Sequence, residues 1–327
     1  MIFETFLAVV GAYLLLKGSE WVTDSSVGVA KRLGTTNLAV GLILISVMLS
    51  LPELLVAVMS FLKGHQQVSV GVSLGSVIVN LGLILGVAAL LRPIKVPAHV
   101  VTRDGIFMLV ATIVVCLIAL EDLVITQRDG LIFLLLFIPY VVNVYAQEKQ
   151  LAKKEQEKEA RDLSKTLAFF GKMGNPDFLK SGVFIFLVGG VLLLVGSELF
   201  TSGILGIADS LSLSDSLIGV TFGALGPSIP NLLVALQASR KGFDDLAVSQ
   251  SIGSNIFTIF VTLGFLAMLS PIYLSSDFAS VTIPALLVIT VISFVFLARG
   301  KLGKTEGLVL VGAYLLSIAF EIALHGF

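Results

Sequence analysis

The chain repeats itself at a constant offset of 178 residues. Gly18-Ser19-Glu20 recurs as Gly196-Ser197-Glu198, and Ser50-Leu51-Pro52-Glu53-Leu54-Leu55-Val56-Ala57 recurs as Ser228-Ile229-Pro230-Asn231-Leu232-Leu233-Val234-Ala235. Gly75-Ser76-Val77-Ile78-Val79-Asn80 returns as Gly253-Ser254-Asn255-Ile256-Phe257-Thr258. Across residues 38–94 and 216–272, 20 of 57 aligned positions are identical without a gap, too many for a chance match of apolar runs. Two homologous halves must therefore build the fold together. The repeat departs from itself at two polar positions, where Glu53 aligns with Asn231 and Asn80 with Thr258.

The halves belong in a bilayer. Charged residues make up 13% of the chain, against about a quarter in ordinary soluble domains, while 56% is hydrophobic and the mean hydropathy is +1.02. Apolar stretches long enough to cross a membrane as helix fall near 3–23, 37–61, 69–91, 105–120 and 130–147. Five more lie near 180–203, 216–239, 247–270, 278–298 and 305–324. Backbone groups cannot stay unpaired in lipid, and long continuous apolar runs select helices over the short alternating segments of a barrel. The expected fold class is all-α, with ten transmembrane helices. Residues 5–16 resemble a signal peptide only superficially: Glu4, Lys17 and Glu20 flank them and no small-residue cleavage pattern follows, so they read as the first span.

Orientation follows from lysine and arginine. With the N-terminus outside, 18 of the 21 fall in inside segments, Arg103 among them; Lys63 and Arg128 lie outside and Lys17 within the first helix. This bias places both termini outside and the charged linker in the cytoplasm of a multi-pass plasma-membrane protein. Five helices per repeat, an odd number, force the second half to enter upside down, so the repeats are inverted. The expected division is a first repeat at 1–147, a cytoplasmic linker at 148–178 and a second repeat at 179–327. The linker's mixed charges suit a solvated, partly helical segment that can touch anionic lipid.

Inverted repeats whose helices are interrupted at matching positions place a substrate site near the midplane. Pro52 and Pro230 each remove a backbone donor and should kink their helices, freeing carbonyls around 46–49 and 224–227, with Pro227 adding a second break. Glu53 lies one residue after such a proline; an ionisable residue inside a span is expensive and ordinarily faces a partner or a wet cavity. Asn80, Asn231 and Thr258, with Ser50, Ser76, Ser228 and Ser254, offer the hard oxygens that cations prefer, although interhelical hydrogen bonding is their alternative use. Glu20 and Glu198 lie nearer helix ends, as gating, packing or access groups. Cys116 sits in an apolar run and packs as a small apolar residue. No His or Cys pair has metal-ligand spacing, and no Gly-rich loop carries the lysine that ATP binding needs, so zinc, copper and ATP chemistry are not indicated. A net charge of −1 points to no nucleic-acid partner.

These motifs resemble the cation/calcium antiporter superfamily of sodium/calcium exchanger type. In that family each repeat carries a Gly-Thr-Ser-Leu-Pro-Glu segment and then a Gly-Asn-x-x-Gly-Ser-Asn-x-x-(Asn/Asp) segment. The resemblance covers nearly the whole chain outside the linker. It implies a secondary antiporter without a bound cofactor, with Ca2+ and Na+ as transported cations and a first and sixth helix that slide across the remaining eight. It also implies that Glu53 is the acidic ligand, Ser50 and Ser76 its hydroxyl partners and Asn80 the amide. Met48-Leu49 replaces the expected Gly-Thr, Asn231 replaces a second Glu, Thr258 replaces Asp or Asn, and Val72 and Gln250 replace asparagines. One carboxylate with neutral oxygens balances a monovalent cation better than Ca2+. Sodium-coupled calcium exchange is the leading expectation, with a monovalent or sodium/proton exchanger and a transport-incompetent scaffold as alternatives. The oligomeric state stays open.

Overall fold

The computed structural model describes residues 1–32, 38–150, 182–242 and 244–325. Most of the expected linker lies outside the described residues. The chain forms α1 (Ile2–Arg32), α2 (Leu38–Leu62), α3 (Gln66–Leu91), α4 (Ala98–Asp122) and α5 (Gln127–Gln150). The second half contributes α6 (Gly182–Leu211), the short α7 (Asp215–Ile218, continuing as a π turn over Gly219–Gly223) and α8 (Ile229–Lys241). It closes with α9 (Leu246–Leu269 and the turn before it), α10 (Phe278–Ala298) and α11 (Lys304–His325). Among the described residues, eight helices are long and apolar enough to cross a membrane, and Ser46–Leu62 of α2 forms a shorter apolar helix.

The spans differ in how much of them is enclosed. In α3 and α9, 78% of the most apolar stretch is buried, whereas α1, α5 and α11 bury 22–28%. The repeat-equivalent helices α3 and α9 therefore form the centre, and the others turn a wide apolar face to lipid. Small residues bring the backbones together where lipid offers no hydrophobic gain from packing. A Cβ on Gly71 would sit 2.8 Å from Gly219 Cα, so α3 and α7 meet backbone to backbone.

Glycine also joins α1 to α6. Gly189, Gly196 and Gly203 recur every seven residues and so share one helix face. Gly196 packs on Leu15 and Gly11 of α1, Gly203 on Ala8 and Glu4, and Gly18 of α1 on Leu193 and Gly189. Partners ascend on one helix as they descend on the other, so α1 and α6, which are equivalent in the repeat, run antiparallel.

Two minimal antiparallel sheets cross-link the halves. β1 (Ile94–Lys95) pairs with β4 (Lys301–Leu302), and β2 (Val124–Ile125) pairs with β3 (Ile272–Tyr273). Beside each, the first residues of a central helix hold the neighbouring turn. Lys95 N donates to Asp244 Oδ2 at 3.0 Å, and Tyr273 N donates to Gln66 Oε1 at 3.2 Å, contacts that map onto each other under the 178-residue offset. Two pairs of π turns follow this symmetry to within one residue, Val79–Ile84 with Thr258–Leu263 and Val101–Gly105 with Phe278–Thr282, whereas the one at Gly219–Gly223 aligns with regular helix in α2.

The helix interruptions do not match. α2 runs unbroken through Pro52, whereas the second half stops at the turn Gly226-Pro227-Ser228 and restarts with Pro230 in the first turn of α8. A single proline removes one helix bond and is tolerated inside a packed span; two prolines three residues apart, preceded by glycine, remove enough donors to end the helix. Arg103, expected in an inside segment, instead lies within α4, which begins at Ala98 rather than near residue 105; its side chain is buried.

Candidate functional site

Glu53 is fully buried at the centre of α2, directly across from the start of α8. Its Oε1 accepts hydrogen bonds from Asn231 Nδ2 at 2.6 Å and Ser228 Oγ at 3.1 Å. The break before α8 is what permits this: the turn presents Ser228, and Asn231 follows on the first helical turn, so that two side-chain donors meet the carboxylate. Asn231 Nδ2 also donates to Ser254 Oγ at 3.1 Å, and Ser254 Oγ lies 2.7 Å from Ser50 Oγ. Ser50 Oγ reaches back 2.8 Å to Ser46 O. Four of the eight sequence-predicted residues, Ser50, Ser228, Asn231 and Ser254, thus form one hydrogen-bonded cluster around a fifth, Glu53, drawn from α2, α8 and α9.

The remaining three are buried but bonded elsewhere. Asn80 Nδ2 donates to Asn255 Oδ1 at 2.9 Å, Ser76 Oγ turns back onto Val72 O at 2.5 Å, and Thr258 Oγ1 has no hydrogen-bond partner among the described residues. Glu53 Oε2, Asn80 Oδ1 and Gln250 Oε1 are likewise buried without a partner among the described residues. Such atoms ordinarily cost 1–3 kcal/mol each, roughly, and more for a charged group, unless a ligand satisfies them. All four are oxygens, the donor set that hard cations take. Among the described residues, no group of three or more His, Cys, Asp and Glu gathers anywhere.

Two polar residues of the site were not singled out from sequence as members. Gln250 Nε2 donates to Asn231 Oδ1 at 2.7 Å, which fixes the amide so that its nitrogen points at Glu53. Asn255 holds Asn80 and also donates weakly to Met108 Sδ, 3.8 Å away. The signal was present for Gln250: residues 250, 254 and 258 recur at i, i+4 and share one face of α9. Glu20 and Glu198, expected nearer helix ends, instead lie well inside α1 and α6, because both helices run on past them; Glu20 pairs with Lys17 one turn away at 2.8 Å, and Glu198 pairs with Lys63, in the turn after α2, at 2.6 Å. An apolar cavity of about 350 Å³ lies between α1 and α6 on one side and α3 and α8 on the other, lined by Ala8, Ala12, Phe200, Leu83 and Leu232 among others and reaching Ser228.

Fold and site together define a helical, multi-pass membrane protein built around one buried carboxylate and a shell of neutral oxygens. Comparison with known proteins places that class. The chain belongs to the sodium/calcium exchanger protein family, whose profile matches residues 3–146 and 181–323. It is 29% identical to the sodium/calcium exchanger MaX1 of Methanosarcina acetivorans over 99% of both chains. It is 28% identical to the inner membrane protein YrbG of Escherichia coli, covering 98% of this chain and 97% of that one. A solved structure of the sodium-calcium exchanger NCX_Mj superposes with a TM-score of 0.68 at 26% identity, covering 97% of this chain and 98% of that one. The protein is a cation antiporter of this family rather than an enzyme, and its cations are substrates rather than bound cofactors.

Proposed function

We propose that the protein exchanges sodium for calcium across the plasma membrane by alternating access, with Glu53 as the charged ligand. Ser50, Ser76, Asn80, Ser228, Asn231, Ser254 and Thr258 supply neutral oxygens. The observation that carries this reading is the fully buried Glu53 Oε2, which has no partner among the described residues while Oε1 is held by Ser228 and Asn231. A cation on Oε2 leaves the Asn231 bond to Oε1 in place, and one bridging both oxygens competes with the Asn231 amide nitrogen. For Asn231 to ligate instead, it turns Oδ1 inward and gives up Gln250. A filled, neutralised site lowers the penalty of occlusion in a low-dielectric interior, whereas a bare carboxylate resists it.

The topology proposed with it is ten crossings in two inverted repeats, 1–147 and 179–327, with α7 and α8 together forming one interrupted crossing. Both termini lie outside and the 148–178 linker inside. Antiparallel α1 and α6, the two sheets and the mirrored contacts of Asp244 and Gln66 support the inversion. The movable part is α1 with α6, which border an apolar cavity facing α3 and α8.

A second reading, monovalent cation exchange, is favoured by one observation: where family members carry a second glutamate, Asn231 donates to Glu53 rather than adding charge. Purified protein in vesicles with an imposed sodium gradient separates the two. Sodium-driven calcium uptake that disappears in Glu53→Gln supports the first, and sodium flux indifferent to calcium supports the second. Absence of any gradient-driven cation flux in the wild type defeats both.

A further inference from the structure

On the face carrying the β1–β4 sheet, a small cavity of about 30 Å³, room for roughly one water-sized particle, lies between α2, α4, α5 and α9. Its floor belongs to the site helices: Ser46, one turn before Ser50, and Gln250, whose amide nitrogen holds Asn231. Gln250 is 2% exposed, and its Oε1 has no partner among the described residues. Gly253 keeps the space open, because a Cβ there would lie 3.0 Å from Ser46 Oγ and 3.6 Å from Tyr140 Oη. Among the described residues the wall carries one buried carboxylate, Asp104, clamped by Arg103 through two bonds of 2.8 Å and approached by Tyr140 Oη at 3.4 Å. The π turn at Val101–Gly105 brings both residues of this adjacent pair inward.

Cation-binding oxygens and a carboxylate next to the transport site make an antechamber; a guanidinium fixed on that carboxylate makes it neutral. We propose that this cavity is where cations pause on their way to Glu53 from this face, and that Arg103 determines which are favoured, by holding the net charge of the antechamber at zero so that monovalent cations are admitted ahead of divalent ones. The argument is electrostatic. Dipolar oxygens stabilise a single charge adequately, but a divalent ion loses four times the Born solvation of a monovalent ion of equal radius and needs an unpaired carboxylate in return. Arg103 supplies the opposite of that need. Gln250 then links the two compartments, since a cation drawing its oxygen also bears on the amide that positions Asn231.

This inference rests on cation exchange through Glu53, and its test keeps the two apart. Reconstituted wild-type protein first establishes flux; absence of flux condemns the exchange reading rather than the role of Arg103. Apparent half-saturation by Na+ and by Ca2+ is then measured separately from each face for wild type, Arg103→Gln and Ser249→Asp. Ser249 lines the cavity but is not deeply buried, so a carboxylate there changes the charge of the antechamber without removing Arg103 or Asp104. Both variants should raise the preference for Ca2+ over Na+ about tenfold from the β1–β4 face and leave the other face unchanged. Ser249→Lys should shift the preference the other way. An unchanged ratio in Ser249→Asp, or an equal shift from both faces, overturns the proposal, and this holds even if Arg103→Gln does not fold.

Discussion

At residue 231 the chain has a hydrogen-bond donor where the motif of the family it resembles carries an acid, and the consequence is measurable. Asn231→Glu would set a second carboxylate against Glu53, on an atom pair now 2.6 Å apart. Two buried like charges repel, so the variant should unfold at a lower temperature without divalent cation and regain stability on adding Ca2+. Its calcium affinity should rise about tenfold or more, because affinity follows ligand charge; unchanged calcium binding would show that Asn231 lies apart from the cation. Glu53→Gln makes the converse case, with flux lost and the fold kept, since glutamine can still accept from Ser228 and Asn231. Much of this site was legible in the sequence, because Glu53, Asn231 and the paired serines stand in a repeated motif. The illegible part was direction. A sequence shows that asparagine has an oxygen and a nitrogen, but only the position of Gln250 decides which one Glu53 meets. Arg103 was misplaced for a related reason: an arginine near a helix end counts as a loop charge until a partner such as Asp104 makes its burial tolerable.

Among the elements, the pairing of α1 with α6 depends on glycines that leave no room for a side chain. Gly196→Leu would force bulk against Leu15 and Gly11, where even a Cβ lies 2.8 Å from Leu15 N. Overpacking of this kind costs about 1–3 kcal/mol, seen as a lower unfolding temperature, and flux should fall further than stability if the pair moves as a unit. Element existence was readable from apolar length alone: eight of the ten expected spans reappear as long apolar helices, and α2 covers a ninth as an unbroken helix. The interruption was read correctly only in the second half. Pro52 and Pro230 are identical residues at equivalent positions, yet α2 stays continuous. The difference lies in Gly226 and Pro227, whose counterparts Met48 and Leu49 are good helix formers.

The orientation proposed for the whole molecule, from charge asymmetry, is one that labelling can check. In a background of Cys116→Ala, a cysteine at Ser276, exposed beside β3, should react with a membrane-impermeant maleimide in intact cells. One at Lys154 should react only after the membrane is opened. The reverse pattern would invert the topology, and with it the side from which the Arg103 cavity is reached.

The glycine seam between α1 and α6 carries a further consequence, for assembly in the cell. While the ribosome has delivered only the first half, α1 presents a groove at Gly11 and Gly18 that nothing in that half fills, because its partner helix has not yet been made. The first half is therefore an unfinished surface awaiting its own duplicate, and the two β pairings can close only when that duplicate arrives. Two polypeptides divided between residues 150 and 182 should accordingly find each other in one membrane and co-purify. Either half produced alone should be degraded, which pulse-chase labelling would record as a short lifetime rescued by its complement.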